Sequence, residues 1–202
     1  MIYWKKLKNM KVNFRNHNPI RKFTKKYATY TAYKKYLAED FNYRCGYTDC
    51  PDFWFGGQDN FHIDHFIPWK NHPEQPALKT DYSNLVYCCS YVNILKSNDE
   101  SNYLDPCSVD YNQHFYRDVT GHIKPISGSL AASYMYSKLK MYMRRYQIIW
   151  MLDNLFEKLQ SLSSAIEETK DESLKNDLKN AMCELVPIVV KYKCYLSESQ
   201  KK

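Results

Sequence analysis

FHIDHFIPW (61–69) and DYSNLVYCCSYVNILKSN (81–98) hold the side chains of this sequence that are best suited to carry chemistry. The first stretch contains an adjacent Asp64 and His65, and the second contains Asn84 and Asn93. Hard divalent cations prefer carboxylate and amide oxygens as ligands. A neutral histidine can take a proton from water. The pattern therefore predicts metal-dependent hydrolysis of a phosphodiester.

The spacing around these residues predicts a strand, a loop, a second strand and a short helix. Loose apolar alternation indicates the first strand, and an apolar run indicates the second. Ser90 is a possible helix cap. The predicted bounds are 61–67 for the first strand, 70–83 for the loop, 85–87 for the second strand and 90–96 for the helix.

Asp64 and His65 are neighbours, which creates a geometric requirement. Successive residues of a regular strand point to opposite faces of the sheet. Both side chains can reach one phosphate only if the strand twists sharply or ends beside them. Pro68 makes such an ending plausible, because proline cannot donate a ladder hydrogen bond.

Composition indicates a globular protein with a basic N-terminal end. The chain has 202 residues and a net charge of +7. Residues 1–40 hold eleven Lys and Arg against two acids, which gives +9 and leaves about −2 elsewhere. Basic residues interleaved with aromatic ones predict a polyanion partner, although a solvated arm is the alternative. The expected nucleic-acid-binding residues are Lys5, Lys6, Lys8, Lys11, Arg15, Arg21, Lys22, Lys25 and Lys26.

The C-terminal third predicts helices. Apolar residues recur at three- and four-residue steps from Met135 to Leu159, which favours one helix of about eight turns. A second helix is expected over 164–182, and Pro187 is expected to interrupt a third apolar stretch. The predicted class is α+β. Its regions are a basic arm (1–28), a core with a flanking helix and a loop extension (29–128), and a helical region (129–202).

Cysteine usage and hydropathy predict a cytoplasmic protein with no membrane association. The seven cysteines follow no secretory signal, so reduced thiols are expected. No apolar run approaches the roughly 18–20 residues that cross a bilayer.

HIDHFIP, NLVYCC and VNILK together resemble the core of HNH, or ββα-metal, endonucleases over about residues 43–98. The resemblance implies that Asp64 and Asn93 hold one Mg²⁺ or Mn²⁺ ion and that His65 is the general base. The resemblance also implies that Asn84 steadies the loop and the His65 ring.

Two further residues lie near the implied ligands. His62 is two residues before Asp64 and could share its face of the strand, as a supporting or third metal contact or as a simple packed or solvent-facing histidine. Lys96 follows Asn93 and is expected to support the ligands.

Many HNH nucleases carry a zinc knuckle of two Cys-x-x-Cys pairs. This sequence departs from that pattern, because Thr48 and Val92 stand where two of the ligands are expected. Four thiols remain near the core, so both a zinc site and a packed, zinc-free knuckle stay open. These thiols are Cys45, Cys50, Cys88 and Cys89.

YLDPCSVDYNQHFYRD (103–118) and GHIKP (121–125) resemble an extension found in HNH proteins that work beside an ATPase, as in bacterial Septu-type antiphage systems. This link implies an ATPase partner and a role in defence, although Asp105, Pro106, His114 and Asp118 could simply brace the loop. The Tyr-, Met- and Trp-rich part between Tyr134 and Trp150 is a candidate docking face.

The sequence hypothesis is an HNH endonuclease, with DNA as the expected substrate and RNA as the runner-up. The alternative is a nucleic-acid-binding or partner-binding module with an inactive HNH-like site.

Overall fold

A computed structural model describes residues 10–199 of the chain. It contains short helices and strands up to residue 138, followed by two long helices. The strands are β1 (Lys11–Asn13), β2 (Phe61–His65), β3 (Leu85–Cys89), β4 (Phe115–Asp118) and β5 (Ile123–Pro125). The helices are α1 (Lys34–Asp40), α2 (Ser90–Lys96), α3 (Leu130–Lys138), α4 (Arg144–Glu168) and α5 (Glu172–Ser199). The predicted α+β class is confirmed.

β2 and β3 form a two-stranded antiparallel sheet, and α2 follows β3 directly. Asp64 is paired with Val86, and His65 with Leu85. The predicted order of strand, loop, strand and helix is confirmed, with an earlier end for β2 and a later end for β3. Ser90 is not the cap, because Cys89 occupies that position and no side chain caps the helix.

β3 forms the centre of the core beside the candidate residues. All five residues of its sequence LVYCC are buried, and α1 packs against this strand through an apolar face that includes Leu37. An apolar run without alternation is typical of a strand that is covered on both faces. This burial fixes the register of β2, because a one-residue slip would turn its side chains to the wrong faces.

From Lys11 onward, the predicted basic arm takes part in the fold. β1 pairs with β4, and β4 pairs with β5, in a three-stranded antiparallel sheet. Phe14 is fully buried, with its ring near those of Tyr111 and Phe115. Residues 11–14 therefore contribute to a core, which composition alone did not indicate.

The chain divides into two compact units, whose described parts are residues 10–119 with 123–142 and residues 120–122 with 143–199. The expected boundary at residue 129 differs, because α3 belongs to the first unit. Met135 of α3 is buried, and its sulfur accepts a hydrogen bond from the Leu104 amide. The first unit thus includes one of the helices expected in the helical region.

The predicted eight-turn helix is interrupted. Residues 139–143 form a turn in which Lys140 has φ of 49°, so α3 and α4 are separate helices. Leu139 on this turn and Tyr146 on α4 are both buried. The apolar spacing survives the turn, which explains why periodicity suggested one helix.

The second unit is a hairpin of α4 and α5, which pack together across a connection of residues 169–171. The expected helix over 164–182 is wrong, because α4 continues to Glu168 and α5 begins at Glu172. Pro187 lies inside α5 instead of interrupting it. None of the helices within residues 10–199 combines the length and apolar character needed to cross a bilayer.

Candidate active site

A pocket of about 390 Å³ beside the end of β2 brings together three of the predicted residues. Asp64 and His65 reach it from β2, and Asn93 reaches it from α2. Tyr30 and Trp69 complete part of the wall. Residues from distant parts of the sequence therefore meet here, as the motif predicted.

The strand ends where the geometry required it to end. His65 is the last residue of β2, and the chain bends immediately afterwards. The Phe66 amide still donates to the Asn84 carbonyl, at 2.8 Å. Asp64 and His65 are thus the last paired residues before the bend, and both border the pocket.

Asn84 secures the loop that follows β2. Its side-chain oxygen accepts from the Ile67 amide at 2.8 Å, and its Nδ2 donates to the Ile67 carbonyl at 2.9 Å and the Leu78 carbonyl at 3.0 Å. The expected steadying of the loop is therefore observed. The described hydrogen bonds of this side chain go to backbone groups of the loop and not to the His65 ring, so any effect on that ring is indirect.

One nitrogen of the His65 ring is engaged in a hydrogen bond with the backbone. Its Nε2 lies 2.9 Å from the Lys79 carbonyl oxygen. A carbonyl can only accept, so Nε2 carries the proton and Nδ1 of the neutral ring is an acceptor. The Tyr30 ring meets the imidazole edge-on, with centroids 4.8 Å apart. This tautomer presents the nitrogen that a general base needs.

The surroundings also favour the neutral ring. Burial lowers the pKa of His65 below its usual value, the Lys79 carbonyl opposes this, and the positive charges of Lys96 and Lys79 lower it further. At neutral pH the side chain is therefore more fully deprotonated than an ordinary histidine.

Asp64 is almost sealed from water, with 3% of its surface exposed. The Tyr47 hydroxyl donates to its Oδ2 at 2.6 Å, and the Lys96 ammonium lies 3.1 Å from Oδ2 and 3.3 Å from Oδ1. Burial raises the pKa of this carboxyl, while Lys96 and Tyr47 partly counteract that rise. The carboxylate is thus paired, but it still borders the pocket.

Lys96 is fully buried and makes two connections at once. Besides its ion pair with Asp64, its ammonium donates to the His65 carbonyl at 2.9 Å. The cation therefore joins α2 to the side chain of Asp64 and to the backbone of His65 on β2. The predicted supporting role agrees with these contacts.

Asn93 and His62 form a second connection between α2 and β2. The Asn93 Nδ2 donates to His62 Nδ1 at 3.2 Å. This hydrogen bond uses the amide nitrogen and leaves the amide oxygen available for other partners. His62 is exposed, and its contact with Asn93 corresponds to the supporting alternative.

The pocket suits a divalent ion by its donor chemistry. Asp64 and Asn93 offer a carboxylate and an amide oxygen to one cavity. Mg²⁺ usually keeps several waters and takes only one or two protein carboxylates together with substrate phosphate oxygens. A carboxylate has about four lone-pair sites, so the contacts from Tyr47 and Lys96 leave capacity for an ion. A set of two protein donors therefore fits.

The four candidate zinc thiols do not converge. All are buried, and the Cys45 thiol makes a hydrogen bond with Cys89, whereas Cys88 adjoins Cys89 on β3 and so points to the other face. Burial raises the pKa of Cys45, but hydrogen bonds with Cys89 and Thr48 outweigh it and bring the pKa to about 6. Within residues 10–199, no cluster of three or more His, Cys, Asp or Glu is placed to hold a metal.

The predicted basic residues divide into buried and exposed groups. Arg15 is 2% exposed and donates to the Gly46 carbonyl at 2.7 Å. Arg21 donates to the Leu85 carbonyl and forms a 2.9 Å ion pair with Asp105. The expectation that both bind nucleic acid as free surface cations is therefore wrong. Lys11, Lys22, Lys25 and Lys26 are exposed, and Lys5, Lys6 and Lys8 lie outside the described residues.

The segment that resembles the ATPase-linked extension makes local structural contacts. Asp105 pairs with Arg21 and accepts hydrogen bonds from Cys107 and Ser108. His114 is hydrogen-bonded to Ser129 at 2.9 Å. These contacts match the bracing alternative for the two residues.

Sequence reasoning missed Tyr47, Lys79 and Tyr30 as parts of the site. Tyr47 lies in a turn-rich segment, and Lys79 contributes a backbone carbonyl, for which side-chain identity carries no signal. Only the aromatic character of Tyr30 could have pointed to a pocket wall.

No family model, curated protein or solved structure matches this chain.

Proposed function

We propose that this protein is an HNH-type endonuclease that hydrolyses phosphodiester bonds with one Mg²⁺ or Mn²⁺ ion. The observation that carries the proposal is the meeting of Asp64, His65 and Asn93 in one pocket. The ββα-metal identity of β2, β3 and α2 is part of the proposal and rests on the resemblance of the motif together with the order of these elements.

In the proposed mechanism, His65 Nδ1 accepts a proton from the attacking water. The Nε2–H bond to the Lys79 carbonyl keeps the ring oriented and stabilises the imidazolium that forms. Asp64 and Asn93 would hold the ion through a carboxylate and an amide oxygen. When bound, the ion would supply positive charge that stabilises the charge developing on the phosphate and the leaving oxygen.

The charges near the pocket favour a polyanionic substrate. Lys70 lines the pocket, and the Lys79 ammonium lies above the Trp69 ring at 4.8 Å from its centroid. Exposed Lys22, Lys25 and Lys26 add positive charge to the same unit. Such cations bind backbone phosphates without reading sequence. DNA remains the proposed substrate, with RNA as the runner-up.

A second candidate function is favoured by the ion pair between Lys96 and Asp64. The pair already neutralises the predicted metal ligand in a sealed environment. If the ammonium keeps an ion out, the protein would bind nucleic acid or a partner without cutting. This candidate predicts salt-sensitive binding and no cleavage with any divalent ion.

The resemblance of residues 103–125 also supports a proposal of antiphage defence beside an ATPase. This part is testable separately, because an ATPase-dependent nuclease would be silent alone and active after the ATPase is added.

The deciding experiment incubates purified protein with supercoiled plasmid and with total RNA, in Mg²⁺, in Mn²⁺ or in EDTA, with and without the product of any neighbouring ATPase gene. The proposal expects cutting with a divalent ion and none in EDTA. His72→Ala is a matched control, because His72 pairs with Glu100 and not with the candidate residues. Cutting that persists in EDTA would contradict the mechanism, and binding without cutting in every arm would favour the second candidate.

A further inference from the structure

A second pocket in the first unit, of about 480 Å³, has no lining residue in common with the candidate active site, but two chain segments connect the two cavities. Residues 27–33 border both cavities, with Tyr27 and Tyr33 in the second and Tyr30 in the first. The second connection is indirect, because Thr80 lines the second pocket directly after Lys79, whose carbonyl holds His65. The two cavities are therefore linked through the chain, by residues 27–33 and by the Lys79–Thr80 step.

Aromatic rings form the apolar part of this second pocket. Phe23, Tyr27, Tyr33 and Tyr82 contribute to its lining. The Phe23 ring stacks on those of Tyr36 and Tyr27, with centroids 3.8 Å and 5.6 Å away, and Phe23 and Tyr27 are half-buried at the pocket. Planar apolar walls of this kind suit a flat aromatic ligand, and every nucleobase has a face that can stack without sequence preference.

Cations form the polar part. Lys25 and Lys26 are exposed at the pocket. The Arg21 side chain is 10% exposed, and its Nη2 is a buried nitrogen without a hydrogen-bond partner. Asp81 is the opposing charge, but its Oδ1 is engaged by the amide and hydroxyl of Ser83. Because Arg21 Nη2 is sealed from solvent, the exposed Lys25 and Lys26 are the cations that a ligand phosphate can reach.

We propose that this aromatic–basic pocket seats one unpaired nucleotide of the strand being cut. The base would lie against the rings and its phosphate would meet Lys25 and Lys26. A base paired within a duplex cannot enter such a recess, so the protein would prefer a single-stranded segment beside the scissile phosphate. This inference rests on the proposed nuclease function for its link to cutting, but the pocket itself can be tested by binding.

The test measures fluorescence anisotropy in EDTA, which removes divalent ions and so separates binding from cutting. The ligands are a labelled single strand of about 12 nucleotides, its duplex, an otherwise identical strand of abasic sites, and an oligoribonucleotide of the same sequence. We expect the single strand to bind at least about tenfold more tightly than the duplex and the abasic strand, because only its bases can stack. The oligoribonucleotide shows whether the 2′-hydroxyl matters. Equal binding of the normal and abasic strands, or of the single strand and duplex, would overturn the inference.

Protein variants locate the effect. Thr24 is exposed and lines the pocket, so Thr24→Asp places a negative charge there with little risk to the fold, and Thr24→Asn is its uncharged isosteric control. We expect about tenfold weaker single-strand binding for Thr24→Asp and near-normal binding for Thr24→Asn. Identical affinities for the two variants would overturn the pocket assignment.

The nuclease proposal can fail separately. A clear preference for the single strand together with no cleavage under any divalent-ion condition would contradict the proposed function and leave the pocket standing. Cleavage of a duplex as fast as of a substrate with an unpaired segment would contradict the pocket's link to cutting and leave the nuclease standing.

Discussion

The candidate active site and the helical hairpin use polar residues in opposite ways. Around the site, Asp64, Asn84 and Lys96 are buried and each is matched by partners. On α5, Leu196 is the one residue that is classed as buried among those with described side chains, while Val186 and Val190 are exposed. The stability of the candidate site depends on the pairing of buried polar groups, whereas that of the hairpin depends on an apolar face that is largely exposed. The difference predicts that single substitutions will be costly near the site and mild on the hairpin.

Replacing Lys96 should have the largest effect on stability. Lys96→Met leaves the Asp64 carboxylate buried without its cation, and breaking such a pair typically costs about 3–5 kcal/mol. Urea denaturation should show this loss. Lys138→Met is a matched control, because Lys138 pairs with Asp99 while 40% of its side chain is exposed, and it should cost about 1 kcal/mol or less. Equal losses for the two variants would mean that burial of the Lys96–Asp64 pair does not determine its contribution to stability.

Asn93→Ala should affect the metal requirement more than the fold. Asn93 is half-buried at the pocket, so the expected result is a rise of at least about tenfold in the Mg²⁺ concentration needed for cutting, with partial rescue by excess Mn²⁺. The measurement is cleavage rate against ion concentration, with Ser90→Ala as a control, because Ser90 is on the same helix but does not line the pocket. An unchanged ion requirement would mean that Asn93 is not a ligand.

The exposed lysines of the N-terminal segment should set the salt dependence of binding. Lys25→Ala combined with Lys26→Ala should lower the slope of log affinity against log salt by about one to two, because fewer counterions are released. Deleting residues 1–26 is a poor test, since it would also remove Phe14 and Arg15 from the core. Lys158→Ala in the second unit is the control. A slope that stays constant in the double variant would assign these lysines another role.

The smallest effects on stability should come from exposed apolar positions such as Tyr142. Tyr142 is 52% exposed within the stripe expected to dock a partner, whereas Met135, Tyr146 and Ile149 of the same stripe are buried. Tyr142→Asp should change unfolding free energy by about 0.5 kcal/mol or less. If this surface docks an ATPase or a second copy of the chain, size-exclusion chromatography of the mixture should show a weaker complex. A chain that stays monomeric and ignores the ATPase in both forms would end the docking proposal.

Sequence reasoning identified the local pattern well because apolar runs and turn residues act over short distances. It placed β2, β3 and α2 in order and required the strand to end near His65. It could not place Tyr47 on Asp64 or the Lys79 carbonyl on His65, since both contacts depend on loops without periodic signals.

Charge was the most misleading signal. Basic composition predicted an arm whose cations bind a polyanion, yet Arg15 of that segment is buried against the Gly46 carbonyl. Elsewhere in the chain, Arg117 is also buried and donates to the carbonyls of Phe14 and Thr48. An arginine contributes the same charge to the composition whether its side chain binds a phosphate or donates to a buried carbonyl. Apolar spacing was misleading in a similar way. The three- and four-residue spacing of apolar residues continues through the turn at Lys140, so the sequence predicted one helix where the structure has two.

The most direct test of the central claim is single-turnover cleavage by wild-type protein and His65→Ala under the divalent-ion condition that supports cutting. The account predicts a loss of roughly 10²–10⁴-fold for His65→Ala, because the general base is removed, with near-normal folding and nucleic-acid binding. Added imidazole should restore part of the rate, and His72→Ala should cut normally. Cleavage by His65→Ala at the wild-type rate would contradict the assignment of His65 and, with it, the HNH mechanism.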